Sequence, residues 1–215
     1  MESQSASAKD EILGRIRNAN RLAGVSPQPY PIPRDYGMGR TRNTQELVEL
    51  LEDRLLDYKA DVHIVEESDL PSTVAEISEH RGFSLIGVAE GLDESIYSSV
   101  SAVIEKDDRS TDPHALGRFD AIITESHVSS AQTGTIYLDS SATNGRRALT
   151  LVPDCHVCIV REESIVYGVP EAVERLDPEM PITLISGPSA TSDIELNRVE
   201  GVHGPRTLIV VIVKA

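Results

Sequence analysis

The segment Leu208-Ile209-Val210-Val211-Ile212-Val213 limits the fold more than any other: six branched aliphatic side chains in unbroken succession. Along a strand, neighbouring side chains point to opposite faces, so a run without polar alternation needs cover on both sides. Shorter runs of the same kind recur at Val62–Val65, Leu85–Ala89, Ala102–Ile104, Ala121–Thr124, Thr135–Leu138, Val157–Val160 and Ile182–Ile185. Helical patterns separate several of them. Asn43 followed by Glu46 opens one, with Leu47, Leu51, Leu55 and Tyr58 on one face. Residues 70–81 form another, with Pro71 in the first turn and Gly82 just past the end. Short helices are predicted at 113–118 and at 144–151, the second stopped by Pro153. Strands alternating with helices imply an α/β fold, a Rossmann-like and mostly parallel sheet with helices on both faces. Aromatics make up only 4% of the chain and Trp is absent, so Val, Ile, Leu and Ala must fill the interior.

The first 42 residues read differently. Ala8, Ile12, Ile16 and Ala19 give residues 7–23 one apolar helical stripe, with Ser7 as its cap. Pro27, Pro29, Pro31 and Pro33, followed by Gly37 and Gly39, make 24–42 an extended arm. The organisation expected is a helix and arm over 1–42 and one α/β domain over 43–215.

The formal net charge is −15. Nucleic acid and anionic membrane surfaces both select clustered Lys and Arg, so neither is an expected partner. No stretch is long and apolar enough to span a bilayer, and Met-Glu-Ser-Gln-Ser is not the start of a signal peptide, so a cytoplasmic location is expected. The mildly basic arm, with Arg34, Arg40 and Arg42, suits a docking strip for a partner or a second copy, a possible homo-oligomer; equally, it suits a strap on its own domain.

Chemistry concentrates near the C-terminus. An apolar run breaks at Ser186-Gly187-Pro188-Ser189, with Thr191 beyond it. Gly187 allows close approach to a ligand, and the hydroxyls with backbone amides suit a small carboxylate or phosphate. An ordinary capped turn fits the same residues. Asp193 and Glu195 suit acid/base work or a plain solvated surface. His203, between Gly201 and Gly204, has the pKa range of a proton shuttle. Thr133-Gly134-Thr135 is a tight turn with two hydroxyls, and Glu125 stands at a predicted strand end. His127, close by, is a second candidate histidine, while His63, His80 and His114 read as structural or solvated. In Cys155-His156-Val157-Cys158 the two thiols point to opposite faces of a strand, so no metal site is expected and both are read as buried core.

Ser186-Gly187-Pro188-Ser189-x-Thr191-x-Asp193-Ile194-Glu195, followed by Gly201-Val202-His203-Gly204-Pro205, resembles the signature of the LUD domain, in particular the lactate utilization protein C family. Ala131–Ile136, Asp10–Ile16 and Ile32–Tyr36 are similar to further stretches of that family, so the resemblance runs along nearly the whole chain. Gln132 departs from it, standing where an acid is expected. The resemblance implies a fold like that of ribose-5-phosphate isomerases and CoA transferases, with sites at strand ends; the general rule for such sheets places ligands outside the carboxyl ends. It also implies a non-redox subunit of a system converting L-lactate to pyruvate, beside iron–sulfur lactate oxidation subunits. The clusters belong to those partners, and no cofactor is expected in this chain. His203, Asp193, Glu195 and Glu125 are then the catalytic candidates. Thr133, Gly134, Thr135, Ser186, Gly187, Ser189, Thr191 and Gly204 are the candidate ligand contacts. A stand-alone enzyme for sugar phosphates or acyl-CoA, with Glu125 or Asp193 as its carboxylate, is the alternative. A scaffold with a vestigial pocket is a third.

Overall fold

The computed structural model describes residues 7–25, 31–33, 43–191, 199–201 and 203–214. The chain divides into two compact units, Met1–Gly37 and Met38–Ala215. In the first, helix α1 (Ala8–Leu22) starts at Ser7, whose side chain accepts from the Asp10 amide, and none of its residues is buried.

The second unit is built on a parallel sheet of six strands. In chain order these are β1 (Asp61–Glu66), β2 (Leu85–Val88), β3 (Val103–Lys106), β4 (Ala121–Glu125), β7 (Cys155–Arg161) and β12 (Thr207–Lys214). Their order across the sheet is β1-β12-β7-β4-β2-β3, and every pairing is parallel. The aliphatic run of β12 lies between β1 and β7, with Leu208 to Val213 all at most 2% exposed. Alternate residues serve two cores. Cys155, Val157, Ile159, Ile209, Val211 and Val213 pack with helix α3 (Leu70–Arg81) through Leu70, Val74 and Ile77. Cys158, Val160, Leu208, Val210 and Ile212 pack on the other face with helix α2 (Thr44–Asp57) through Val48, Leu51 and Leu55. Asn43 caps α2, accepting from the Glu46 amide at 2.8 Å. Gly82 ends α3 in the left-handed conformation.

That second face also carries a second sheet, and two of the strands expected from the sequence, Thr135–Leu138 and Ile182–Ile185, fall in it rather than in the parallel sheet. Strands β5 (Val128–Ser130), β6 (Thr135–Leu138), β8 (Ile165–Val166) and β9 (Thr183–Ile185) form a sheet in the order β8-β5-β6-β9. Ile136, Leu138 and Ile165 turn toward the main sheet. Val128, Tyr137 and Val166 turn outward under the short helix α4 (Val169–Glu174). Two residues make β8 and three make β5, too few to show a period. Residues 144–151 are a succession of turns rather than the helix expected there. Asn144 breaks the helix: it is 1% exposed, and its side chain accepts from the Asp139 amide and donates to the Glu125 carbonyl. A small antiparallel pair, β10 (Ala190–Thr191) and β11 (Val199–Glu200), stands between β9 and β12.

Candidate functional site

β9 is an edge strand, and the chain leaves it at Ser186-Gly187-Pro188-Ser189. The bend at Gly187 sits hard against the end of α2. A Cβ there would lie 2.6 Å from the Tyr58 Cβ, and its φ of 88° belongs to the left-handed region that side chains avoid. Ser189 then fastens this bend to the one before β12. Its amide donates to the Pro205 carbonyl at 2.8 Å, its carbonyl accepts from Gly201 at 3.0 Å, and its hydroxyl accepts from the His203 amide at 3.1 Å. The two turns singled out in the sequence are therefore one structure. Between them and the main sheet lies a cavity of about 250 Å³, walled by β9, Ser186–Ser189 and His203–Pro205 and floored by His156 and Leu208.

The Thr133–Thr135 turn adjoins this cavity without lining it. Gly134 is buried, and a Cβ there would stand 2.7 Å from the Arg54 Cβ. Gly134 and Gly187 thus pack on the same end of α2. A chain of hydroxyls joins the two turns: Ser130 Oγ to Thr133 Oγ1 at 2.9 Å, Thr135 Oγ1 to Thr133 Oγ1 at 2.8 Å, and Thr135 Oγ1 to Ser186 Oγ at 2.9 Å. These residues hold Ser186 in place from behind.

The cavity opens at the amino ends of β7 and β12, not at the carboxyl ends where the general rule for open α/β sheets looks. The carboxyl end is closed instead. Strand order reverses between β2 and β4, and residues 139–146 lie across that point. Gly91 donates to the Ala142 carbonyl at 2.9 Å and Glu125 to the Thr143 carbonyl at 3.0 Å. Arg146 grips Asp107 with two bonds of 2.8 and 3.0 Å, the Asp107 side chain being 3% exposed. Glu125, at the carboxyl end of β4, is away from the cavity and accepts from Arg161 Nε at 2.7 Å; Arg161 also pairs with Glu67.

His203 is exposed at the cavity mouth, and Gly204 lies beside Ser189. Thr191 belongs to β10 by its backbone, and Asp193 and Glu195 lie outside the described residues. His127 is outside the cavity, with its ring between Asp139 at 3.1 Å and the Arg175 carbonyl at 2.9 Å. Gln132 is exposed, and its amide donates to the Tyr167 carbonyl. Cys155 and Cys158 fall into the two opposite cores, and burial pushes each thiol up to about 12. Among the described residues, no three His, Cys, Asp or Glu side chains are placed to hold a metal ion.

One site residue escaped the sequence reading. His156 is 1% exposed at the cavity floor, with Nε2 2.8 Å from Thr124 Oγ1 on the neighbouring strand. Burial pulls its pKa down to about 3, so the ring is neutral. Its signal was a polar residue on an otherwise apolar strand, which the two flanking cysteines had drawn into a metal question instead. Apart from His156 and His203, no ionisable side chain lines the cavity among the described residues.

The sequence model of the LUD domain matches residues 48–213. The chain is 40% identical over 216 residues to "Lactate utilization protein C" of Deinococcus radiodurans, covering 97% of each. It is 25% identical to the protein of the same name from Oceanobacillus iheyensis, covering 94% of this chain and 93% of the other. A crystal structure of a DUF162 family protein from Deinococcus radiodurans superposes with a TM-score of 0.68 at 35% identity, covering 80% of this chain and 99% of that one.

Proposed function

The chain belongs to the LUD domain family, and from that premise we propose that it serves lactate utilization as a non-redox subunit, beside iron–sulfur partners that oxidise L-lactate to pyruvate. The names of its relatives support the role in lactate utilization. The observation that carries the site is the fastening of two distant bends through Ser189, which makes one ligand-sized cavity from them. In this reading Ser186, Gly187, Ser189 and Gly204 form its rim, and the Thr133–Thr135 turn supports Ser186. His203 takes or gives a proton at the mouth. Asp193 and Glu195, which lie outside the described residues, are the acids this reading assigns. The two electrons removed from lactate leave through the partners' clusters, so this chain binds and handles protons rather than electrons.

With Glu125 rather than Asp193 as its carboxylate, the stand-alone enzyme reading needs that group free at its strand end. The pairing of Glu125 with Arg161 and the closure of the carboxyl end weigh against it. The test is an in-frame deletion in the host. Growth on L-lactate as sole carbon source is expected to fail and growth on glucose to continue, and tagged protein is expected to copurify with Cys-rich iron–sulfur chains. Undiminished growth on lactate, or turnover of sugar phosphates or CoA thioesters by the purified chain alone, defeats the proposal.

A further inference from the structure

The charge inventory of the cavity narrows what it can hold. The mouth has exposed His203 and the hydroxyls of Ser186 and Ser189. The buried part of the lining has His156, Thr150 and Leu208. A neutral imidazole offers one N–H donor and one bare nitrogen acceptor. Thr124 engages the His156 ring at Nε2 alone, so the ring brings a polar group of neutral character to the floor, where the other buried polar side chain is Thr150, whose hydroxyl donates to the Arg147 carbonyl. No Lys or Arg lines the cavity among the described residues. A phosphate dianion or a second carboxylate pushed to this floor would lose its hydration without gaining a counter-charge from any described residue, which is strongly unfavourable. A single carboxylate kept at the mouth retains water, hydroxyl donors and His203, and its uncharged end can go down.

Resting on the lactate reading above, we propose that the cavity selects a short 2-hydroxy- or 2-oxo-monocarboxylate over dianions, and that His156 is the specificity-determining residue, meeting the oxygen on carbon 2. The carboxylate then lies at the Ser186–Ser189 rim. The methyl end of so short a ligand meets Leu208. Thr124 acts as a positioning residue, because its hydroxyl fixes the imidazole plane from the neighbouring strand.

The purified full chain is titrated by calorimetry with L-lactate, pyruvate, propionate, L-malate and ribose 5-phosphate. Lactate or pyruvate is expected to saturate one site. Propionate, which lacks the oxygen on carbon 2, and malate and ribose 5-phosphate, which carry extra charge, are each expected to bind at least tenfold more weakly. His156→Gln keeps a polar group near Thr124 and is expected to bring lactate and pyruvate down to the level of propionate while leaving propionate unchanged. Absence of saturable binding by both favoured ligands, equal binding of the dianions, or selectivity intact in His156→Gln overturns the proposal. If that variant does not fold, histidine ¹⁵N resonances of the native chain decide. The His156 signals are expected to shift on lactate or pyruvate addition, and signals that stay fixed refute it. A deletion strain that fails on lactate, together with purified protein that binds neither ligand, refutes this inference and spares the lactate role; binding without a growth defect does the reverse.

Discussion

Acid should destabilise this protein through one identifiable side chain. His156 in the folded chain is held at a pKa of about 3 by complete burial, against an ordinary value of 6.5. Below pH 6.5 the unfolded chain therefore takes up a proton that the folded chain refuses. Stability contributed by the neutral ring is full above pH 6.5 and declines as pH falls, until the folded ring itself titrates near 3. Each pH unit in that window costs about 1.4 kcal/mol, so acidification from pH 6.5 to 4.5 removes about 3 kcal/mol. With an m-value of about 2 kcal/mol/M, the urea midpoint falls by about 1.5 M. The window stops at 4.5 because carboxylates such as Asp154, lowered chiefly by its hydrogen bond from Arg206, lose their own contribution at lower pH. His156→Gln cannot titrate, so its midpoint should start lower at pH 7 and then fall much less between pH 6.5 and 4.5. Urea denaturation of both proteins at pH 7, 5.5 and 4.5 measures the difference. Parallel loss of stability in the two would refute the claim that this ring is held neutral by the fold.

Gly187→Ala forces a side chain into the left-handed region beside Tyr58, costing about 1–2 kcal/mol from the backbone alone. A lower denaturation midpoint, together with weakened lactate or pyruvate binding by calorimetry, is the expected result. Glu125→Gln removes the charge facing a half-buried Arg161 and should cost about 1 kcal/mol, with growth on lactate retained. Loss of that growth by a well-folded variant would return Glu125 to the site. Both cysteines should resist alkylation by iodoacetamide in native buffer and react on unfolding, since burial keeps the thiols protonated; prompt labelling of native protein contradicts their place in the two cores.

What could be read from the chain follows from how much each segment decides for itself. The run at 208–213 can be stable only with both faces covered, and the two cores that share its alternate residues meet that demand. Asn43 and Gly82 mark helix ends because their own side chain or φ makes the end. Half of the second sheet has no such autonomy. Its strands β5 and β8 are made by their pairing, Ser129 beside Ile165 and Ser130 beside Val166, which is set by tertiary context and invisible to any local period. The site divides along the same line. Gly187 and Gly204 advertise bends, and the bends are there. That they share a cavity depends on Ser189, whose hydroxyl, amide and carbonyl each reach a residue far along the chain. Glu125 looks functional from its position at a strand end, and the rule behind that reading assumes an open carboxyl edge. Here Asn144 and the Arg146–Asp107 pair pin residues 139–146 across that edge. With the usual mouth shut, the cavity behind Ser189 lies at the amino ends of β7 and β12, where, among the described residues, a buried neutral histidine rather than a Lys or Arg sets the chemistry of the floor.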